Sequence, residues 1–172
     1  MAEVARLCLT GPESTGKSAL AEKLARELGL PLVQEYARDY ALRNPRELTY
    51  DDVEPIARGE VANLDAVTGP AILDTDLIST VVYSRHYYGR CPEWIVEEAR
   101  RRRADLYLLM DTDLPWVDDA ARGAGDDARE DLFDAFRAAL DEFEVRWTIV
   151  SGTAAERLQK ALEAAGGSFL GG

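Results

Sequence analysis

Gly11-Pro12-Glu13-Ser14-Thr15-Gly16-Lys17-Ser18 is a complete G-x-x-x-x-G-K-S segment, and its residue types can hold a nucleotide triphosphate. Gly11 and Gly16 let the backbone curl so that successive N–H groups, including those of Glu13, Ser14 and Thr15, point inward at phosphate oxygens. Lys17 adds a full positive charge for the β- and γ-phosphates. Ser18 places a hydroxyl where Mg²⁺ would sit. An apolar strand at 4–9 precedes the segment. A helix from about residue 17 follows it, with Leu20, Leu24 and Leu28 on one face. Strand, glycine loop and helix are the context that gives such a segment its meaning; the bland alternative is a glycine-rich turn with no ligand.

Further chemistry is expected wherever an apolar strand ends in charge. The run at 32–35 ends in Glu35-Tyr36-Ala37-Arg38. A carboxylate there could take the proton of an attacking hydroxyl, and Arg38 could hold an acceptor or phosphate group. The run at 71–74 ends in Asp74-Thr75-Asp76. Asp74 takes the second Mg²⁺-associated position of a phosphate-loop enzyme. Asp76 is a candidate for substrate hydroxyls, for the base in place of Glu35, or for a helix cap before Leu77. The run at 105–111 is followed by Pro115-Trp116-Val117-Asp118-Asp119 and by a stretch of glycine, alanine and charge containing Arg122 and Arg129. This composition suits a lid over phosphates. Arg122 is a candidate to stabilise the transferring phosphoryl group, and Arg129 a weaker one that could equally pair with nearby aspartates.

The elements that must position these groups alternate. Strands are expected at 4–9, 32–35, 71–74, 105–111 and 145–150. Helices are expected at about 17–28, 36–43, 51–67, 77–88, 92–103, 128–143 and 153–164. This order predicts an α/β three-layer P-loop NTPase sandwich on a parallel five-stranded sheet, with a lid segment after strand four. Residues 1–172 read as one domain, with no repeat and no linker.

Composition narrows the partners. The formal net charge is −12, which argues against a general nucleic-acid surface. The basic run at 100–103 closes a helix, where cations complement the helix dipole. No stretch is long and apolar enough to span a membrane, and no signal peptide is visible, so the expected compartment is the cytoplasm. Cys8 and Cys91 make no disulfide framework. His86, the only histidine, lies among Tyr83, Tyr87 and Tyr88 and reads as structural.

Taken in order and at similar spacing, residues 11–18, Glu35-Tyr36-Ala37-Arg38, Asp74-Thr75-Asp76 and Pro115-Trp116-Val117-Asp118-Asp119 with Arg122 resemble the ribosylnicotinamide kinase domain of the bifunctional bacterial enzyme that also carries a nicotinamide mononucleotide adenylyltransferase. The resemblance runs from about Arg6 to Leu162. It implies ATP and Mg²⁺ as cofactors and a small nucleoside-like substrate phosphorylated on its 5′-hydroxyl. It also implies Glu35, Tyr36, Arg38, Asp76 and Trp116 as the acceptor side. No adenylyltransferase domain or DNA-binding segment is read in these residues, so neither activity is expected of them. Where members of that family stack aromatic rings on the pyridinium, this chain has Gln34 and a position at about Ala66; Tyr36, Tyr87 or Trp116 would have to supply a ring instead. The expectation is therefore a kinase for nicotinamide riboside or a related nucleoside. The alternatives are a kinase for another nucleoside or vitamin, or a regulatory ATPase acting through a protein partner.

Overall fold

A computed structural model describes residues 6–113 and 126–169. Five strands form one sheet in the order β2-β3-β1-β4-β5. They are β1 (Arg6–Thr10), β2 (Leu32–Val33), β3 (Ala71–Asp74), β4 (Leu106–Met110) and β5 (Trp147–Val150). Every pairing is parallel. At the centre Leu9 lies level with Asp74 on one side and with Leu108 on the other. The carboxyl ends of β1 and β3 therefore lie side by side, and the loop after β1 opens next to Asp74.

The sheet is apolar on both faces, as a parallel sheet between helical layers must be. Cys8, Val33, Leu73, Tyr107 and Leu109 face α3 (Val53–Ala66), α4 (Leu77–Tyr88), α5 (Glu93–Arg101) and α6 (Asp126–Glu142). Leu7, Leu9, Ile72, Leu106 and Leu108 face α1 (Lys17–Leu28) and α7 (Ala154–Phe169). The strict alternation of Leu7, Cys8 and Leu9 between the two clusters is the period of two at work. The short α2 (Tyr36–Arg43) leads from the end of β2 toward α3.

The expected α/β three-layer sandwich on a five-stranded parallel sheet is what forms. Its boundaries shift for local reasons. The second strand stops at Val33, because Glu35 already serves as the N-terminal flank of α2. The third helix begins with a 3₁₀ turn at Tyr50–Asp52, closed by a reciprocal Thr49–Asp52 capping box. The last helix runs on to Phe169 rather than ending near 164.

The basic run at 100–103 is taken up within the fold. Arg102 donates to Asp65 at 2.9 and 3.0 Å, Arg103 to the Phe143 carbonyl at 2.9 Å, and Arg101 to Glu98 at 3.2 Å. His86 is exposed on α4, edge-on to Tyr87. No helix among the described residues is long and apolar enough to cross a membrane.

Candidate active site

The phosphate-binding loop has the backbone its glycines were expected to allow. Gly11 has φ 131°, and a side chain there would press on the Met110 backbone at 3.2 Å. Gly16 flanks α1 in the left-handed region at φ 76°. Ser14 adopts φ 58°, an uncommon conformation for a residue with a side chain and one that gathers at ligand loops. The Thr15 hydroxyl donates to the Pro12 carbonyl at 2.9 Å and closes the loop on itself.

Lys17 is buried at the start of α1, between two carboxylates. Its Nζ lies 3.7 Å from Glu35 Oε2 and 3.9 Å from Asp74 Oδ1. The Ser18 hydroxyl donates to Asp74 Oδ2 at 2.8 Å. Three strand ends thus converge: the lysine and serine follow β1, Glu35 follows β2, and Asp74 closes β3. Thr75, next in the chain, is held at φ 66° and donates its N–H to the Leu9 carbonyl at 2.9 Å. A β-branched residue in that region is a marked outlier. It turns the chain so that Asp74 and Asp76 face different surroundings.

Asp76 points inward. It caps α4 by accepting the Ile78 N–H at 3.0 Å, and its other oxygen accepts the Tyr107 hydroxyl. It is 2% exposed, and burial raises its carboxyl to about 6 despite those donors. The helix-cap alternative thus describes its geometry. Tyr36 is half-buried beside Glu35, with its ring on the backbone of Gly59 in α3. Arg38 is exposed on α2. Arg122, Trp116 and the expected lid segment lie outside the described residues.

Two of the positions weighed for ring stacking are not cleft positions. Ala66 is the exposed last residue of α3, where Arg6, at the amino end of β1, donates to the carbonyls of Leu64 and Val67. It therefore lies at the opposite end of the sheet from the phosphate loop. Tyr87 is exposed, stacked on Tyr83, about 15 Å along α4 from its start. Gln34 is exposed. Tyr36 is the ring that stands next to Glu35.

Three residues join the site that the sequence reading did not assign in this way. Arg157 in α7 is 2% exposed and binds four groups at once. It donates to the Thr15 carbonyl at 2.8 Å, the Gly152 carbonyl at 2.8 Å, the Asp111 carbonyl at 3.2 Å and the Asp113 carboxylate. Arg129, 3% exposed, donates to the carbonyls of Ser14 and Thr112, each at 3.2 Å. Both arginines grip the outside of the phosphate loop from elements more than a hundred residues away. Glu60, in α3, accepts the Tyr36 N–H at 3.1 Å and is 2% exposed. A lone arginine or glutamate inside an amphipathic helix carries no local mark of such a role; only full burial of a charged side chain at helical spacing would have hinted at it.

The sheet order, the glycine loop and the Lys17–Asp74–Ser18 cluster place the molecule among phosphate-loop proteins, and comparison with known families makes the assignment. The family profile described as an AAA domain matches residues 6–157. The chain belongs to that family. Within the AAA domain, the resemblance to the ribosylnicotinamide kinase domain is borne out. The trifunctional NAD biosynthesis/regulator protein NadR of Salmonella typhimurium strain LT2 is 32% identical over 130 residues, which are 71% of this chain and 32% of the relative. NadR of Escherichia coli K12 is similar to the same extent. The AAA domain described here thus spans about a third of the length of these curated relatives. Among solved structures, NadR in complex with NR superposes with a TM-score of 0.73 at 25% identity, over 96% of this chain and 51% of the other. Thymidylate kinase from Ehrlichia chaffeensis shares the fold, with a TM-score of 0.70 at 14% identity over 95% and 98% of the two chains.

Proposed function

We propose that the chain is an ATP-dependent kinase that phosphorylates the 5′-hydroxyl of nicotinamide riboside or a related nucleoside. The observation that carries this reading is the approach of Lys17 to Glu35 at 3.7 Å. It brings the phosphate-binding lysine and a candidate base together at adjoining strand ends. A loop that only bound nucleotide would have no use for a second carboxylate at that point. The similarity to NadR, solved in complex with NR and in complex with NAD and AMP-PNP, supports the same acceptor class.

In this reading the backbone N–H groups of Gly11 and of residues 13–16, with Lys17, hold the β- and γ-phosphates of ATP. Glu35 accepts the proton of the acceptor hydroxyl as that hydroxyl attacks, and Lys17 offsets charge on the phosphoryl oxygens. Asp76 acts as the cap of α4 and holds the loop after β3. Tyr36 offers a ring face to the acceptor's base. Arg38 and Arg122 remain assigned to phosphate charge, and Trp116 to the acceptor side.

The donor set fits Mg²⁺. Ser18 and Asp74 offer a hydroxyl and a carboxylate within 2.8 Å of each other. Mg²⁺ prefers oxygen ligands, and it is held by few protein groups because phosphates and waters complete its shell. When bound, it would neutralise phosphate charge. We place the activity in the cytoplasm, with small molecules as partners.

The test is single-turnover phosphorylation with purified protein, ATP, Mg²⁺ and a panel of nucleosides that includes nicotinamide riboside. Formation of a 5′-monophosphate is the expected result. ATP consumption without a phosphorylated nucleoside would overturn the reading.

A further inference from the structure

Glu60 lies on α3 against the acceptor side of the site, 2% exposed. Its Oε2 accepts the Tyr36 N–H at 3.1 Å, while its Oε1 has no hydrogen-bond partner in the protein. The charged groups around it are Asp76, Glu35 and Lys17. The carboxyl therefore lies within electrostatic reach of the candidate base and the phosphate-binding lysine. A buried carboxyl oxygen without a partner is costly, and the cost is relieved when a bound molecule supplies one.

The chemistry of that partner can be narrowed. Burial, with the nearby acids Asp76 and Glu35, pushes the Glu60 carboxyl up to about 8, against the pull of Lys17 and the Tyr36 N–H. A neutral carboxyl can donate through one oxygen while its other accepts. A hydroxyl, itself donor and acceptor, matches it; a bare cation does not. The secondary hydroxyls of a ribose are the groups of that kind nearest the reacting 5′-oxygen. Glu60 also holds the backbone N–H of Tyr36, the residue after Glu35, so a contact here acts directly on the placement of the base.

We infer that Glu60 is a specificity residue of the acceptor site, with its free Oε1 hydrogen-bonding a secondary hydroxyl of the nucleoside's ribose. This rests on the kinase reading above and narrows it: the acceptor is a ribonucleoside, and its deoxy counterparts are poor substrates.

The experiment compares nicotinamide riboside with its 2′-deoxy and 3′-deoxy counterparts on wild type, E60Q and E60L, reading kcat and KM separately. Wild type is expected to prefer the riboside over at least one deoxy form by on the order of 10²-fold in kcat/KM. E60L should lose that preference by losing the riboside reaction alone, whereas E60Q, which keeps a donor and an acceptor, should retain most of it. An equal loss on riboside and deoxyriboside in E60L would mark Glu60 as a packing residue and overturn the proposal. So would a wild type without preference. Carboxyl ¹³C NMR of wild type labelled at glutamate, with Glu60 assigned through E60Q, needs no apolar variant. Its resonance should move with the riboside and stay with the deoxy form that lacks the contacted hydroxyl; no movement with either overturns the contact. Absence of turnover on every nucleoside would instead overturn the kinase reading, and this proposal with it.

Discussion

The ring of Tyr36 rests on the backbone of Gly59, where a methyl group would overlap Cδ1, Cε1 and Cζ of the ring. A glycine inside α3 is therefore a matter of space. Two effects oppose each other in G59A. Alanine favours the helix by about 0.5–1 kcal/mol. The overlap, relieved only by moving a half-buried ring, costs about 1–3 kcal/mol. The overlap should win, lowering the melting temperature and raising KM for the acceptor. In a Y36A background the same G59A change should become stabilising. Thermal unfolding of the four proteins of this cycle checks the change of sign.

Glu35 should be needed for transfer and dispensable for nucleotide binding. E35Q keeps the shape of the side chain and removes the base. The expected outcome is a fall in kcat on the order of 10²–10⁴ with nicotinamide riboside, and a Kd for an ATP analogue within a few-fold of wild type. D76N should behave differently. Its main effect is expected on stability, by about 1 kcal/mol, because an amide can cap α4 through its oxygen but its nitrogen cannot accept the Tyr107 hydroxyl. Parallel measurement of kcat and melting temperature in both variants separates the two carboxylates.

Stability should fall as pH rises from about 4 to 8. Burial raises Glu60 to about 8 and Asp76 to about 6 in the folded protein. Both lie above the ordinary carboxylate range, so the folded state binds more protons than the unfolded one across this window. Their favourable contribution is complete below the unfolded values near 4 and is lost as pH climbs through the folded ones. The total is on the order of a few kcal/mol. E60Q should flatten the upper part of the slope, between about pH 6 and 8. Denaturant unfolding at several pH values reads it directly. At the acid end Asp52, held low by its hydrogen bonds with Arg46, works the other way and loses its contribution as pH drops below 4.

Arg157 should matter to nucleotide binding without touching nucleotide. R157A removes a buried cation that binds the carbonyls of Thr15, Gly152 and Asp111 and leaves the Asp113 carboxylate without that cation. A loss of about 3–5 kcal/mol is expected, with a weaker Kd for ATP. R157K, a point charge in place of a planar fork, should recover only part of either quantity. Calorimetric titration with an ATP analogue, beside unfolding curves, checks both.

The parts of this protein that could be read from its sequence are those whose chemistry sits in consecutive residues. The loop at 11–18 carries its glycines, lysine and serine together, and Glu35 and Asp74 each follow an apolar strand. The alternation of strands and helices was enough for the sandwich. Roles set by docking were not legible. Glu60 reads as one more polar residue of an amphipathic helix until α3 lies against Tyr36. Arg129 and Arg157 gain their meaning from carbonyl groups, which have no sequence signature. A position at about Ala66 depends on helix length: six residues from Glu60 carry the chain about 9 Å further, to the amino end of the sheet. Asp76 shows the remaining difficulty, since a helix cap and a substrate ligand call for the same residue in the same place.

The hydrogen bond between Arg157 and the Thr15 carbonyl joins residues 142 positions apart. The loop after β1 is thus shaped by α7. Contacts of such long range are slow to form, because a large loop must be closed before the contact rewards it. A polypeptide emerging in order from amino to carboxyl end would carry residues 11–18 long before it carried the clamp that sets their curvature. Affinity for nucleotide should therefore arise only when α7 docks, and ATP should then act as a latch that favours the folded domain over every partly folded form of it.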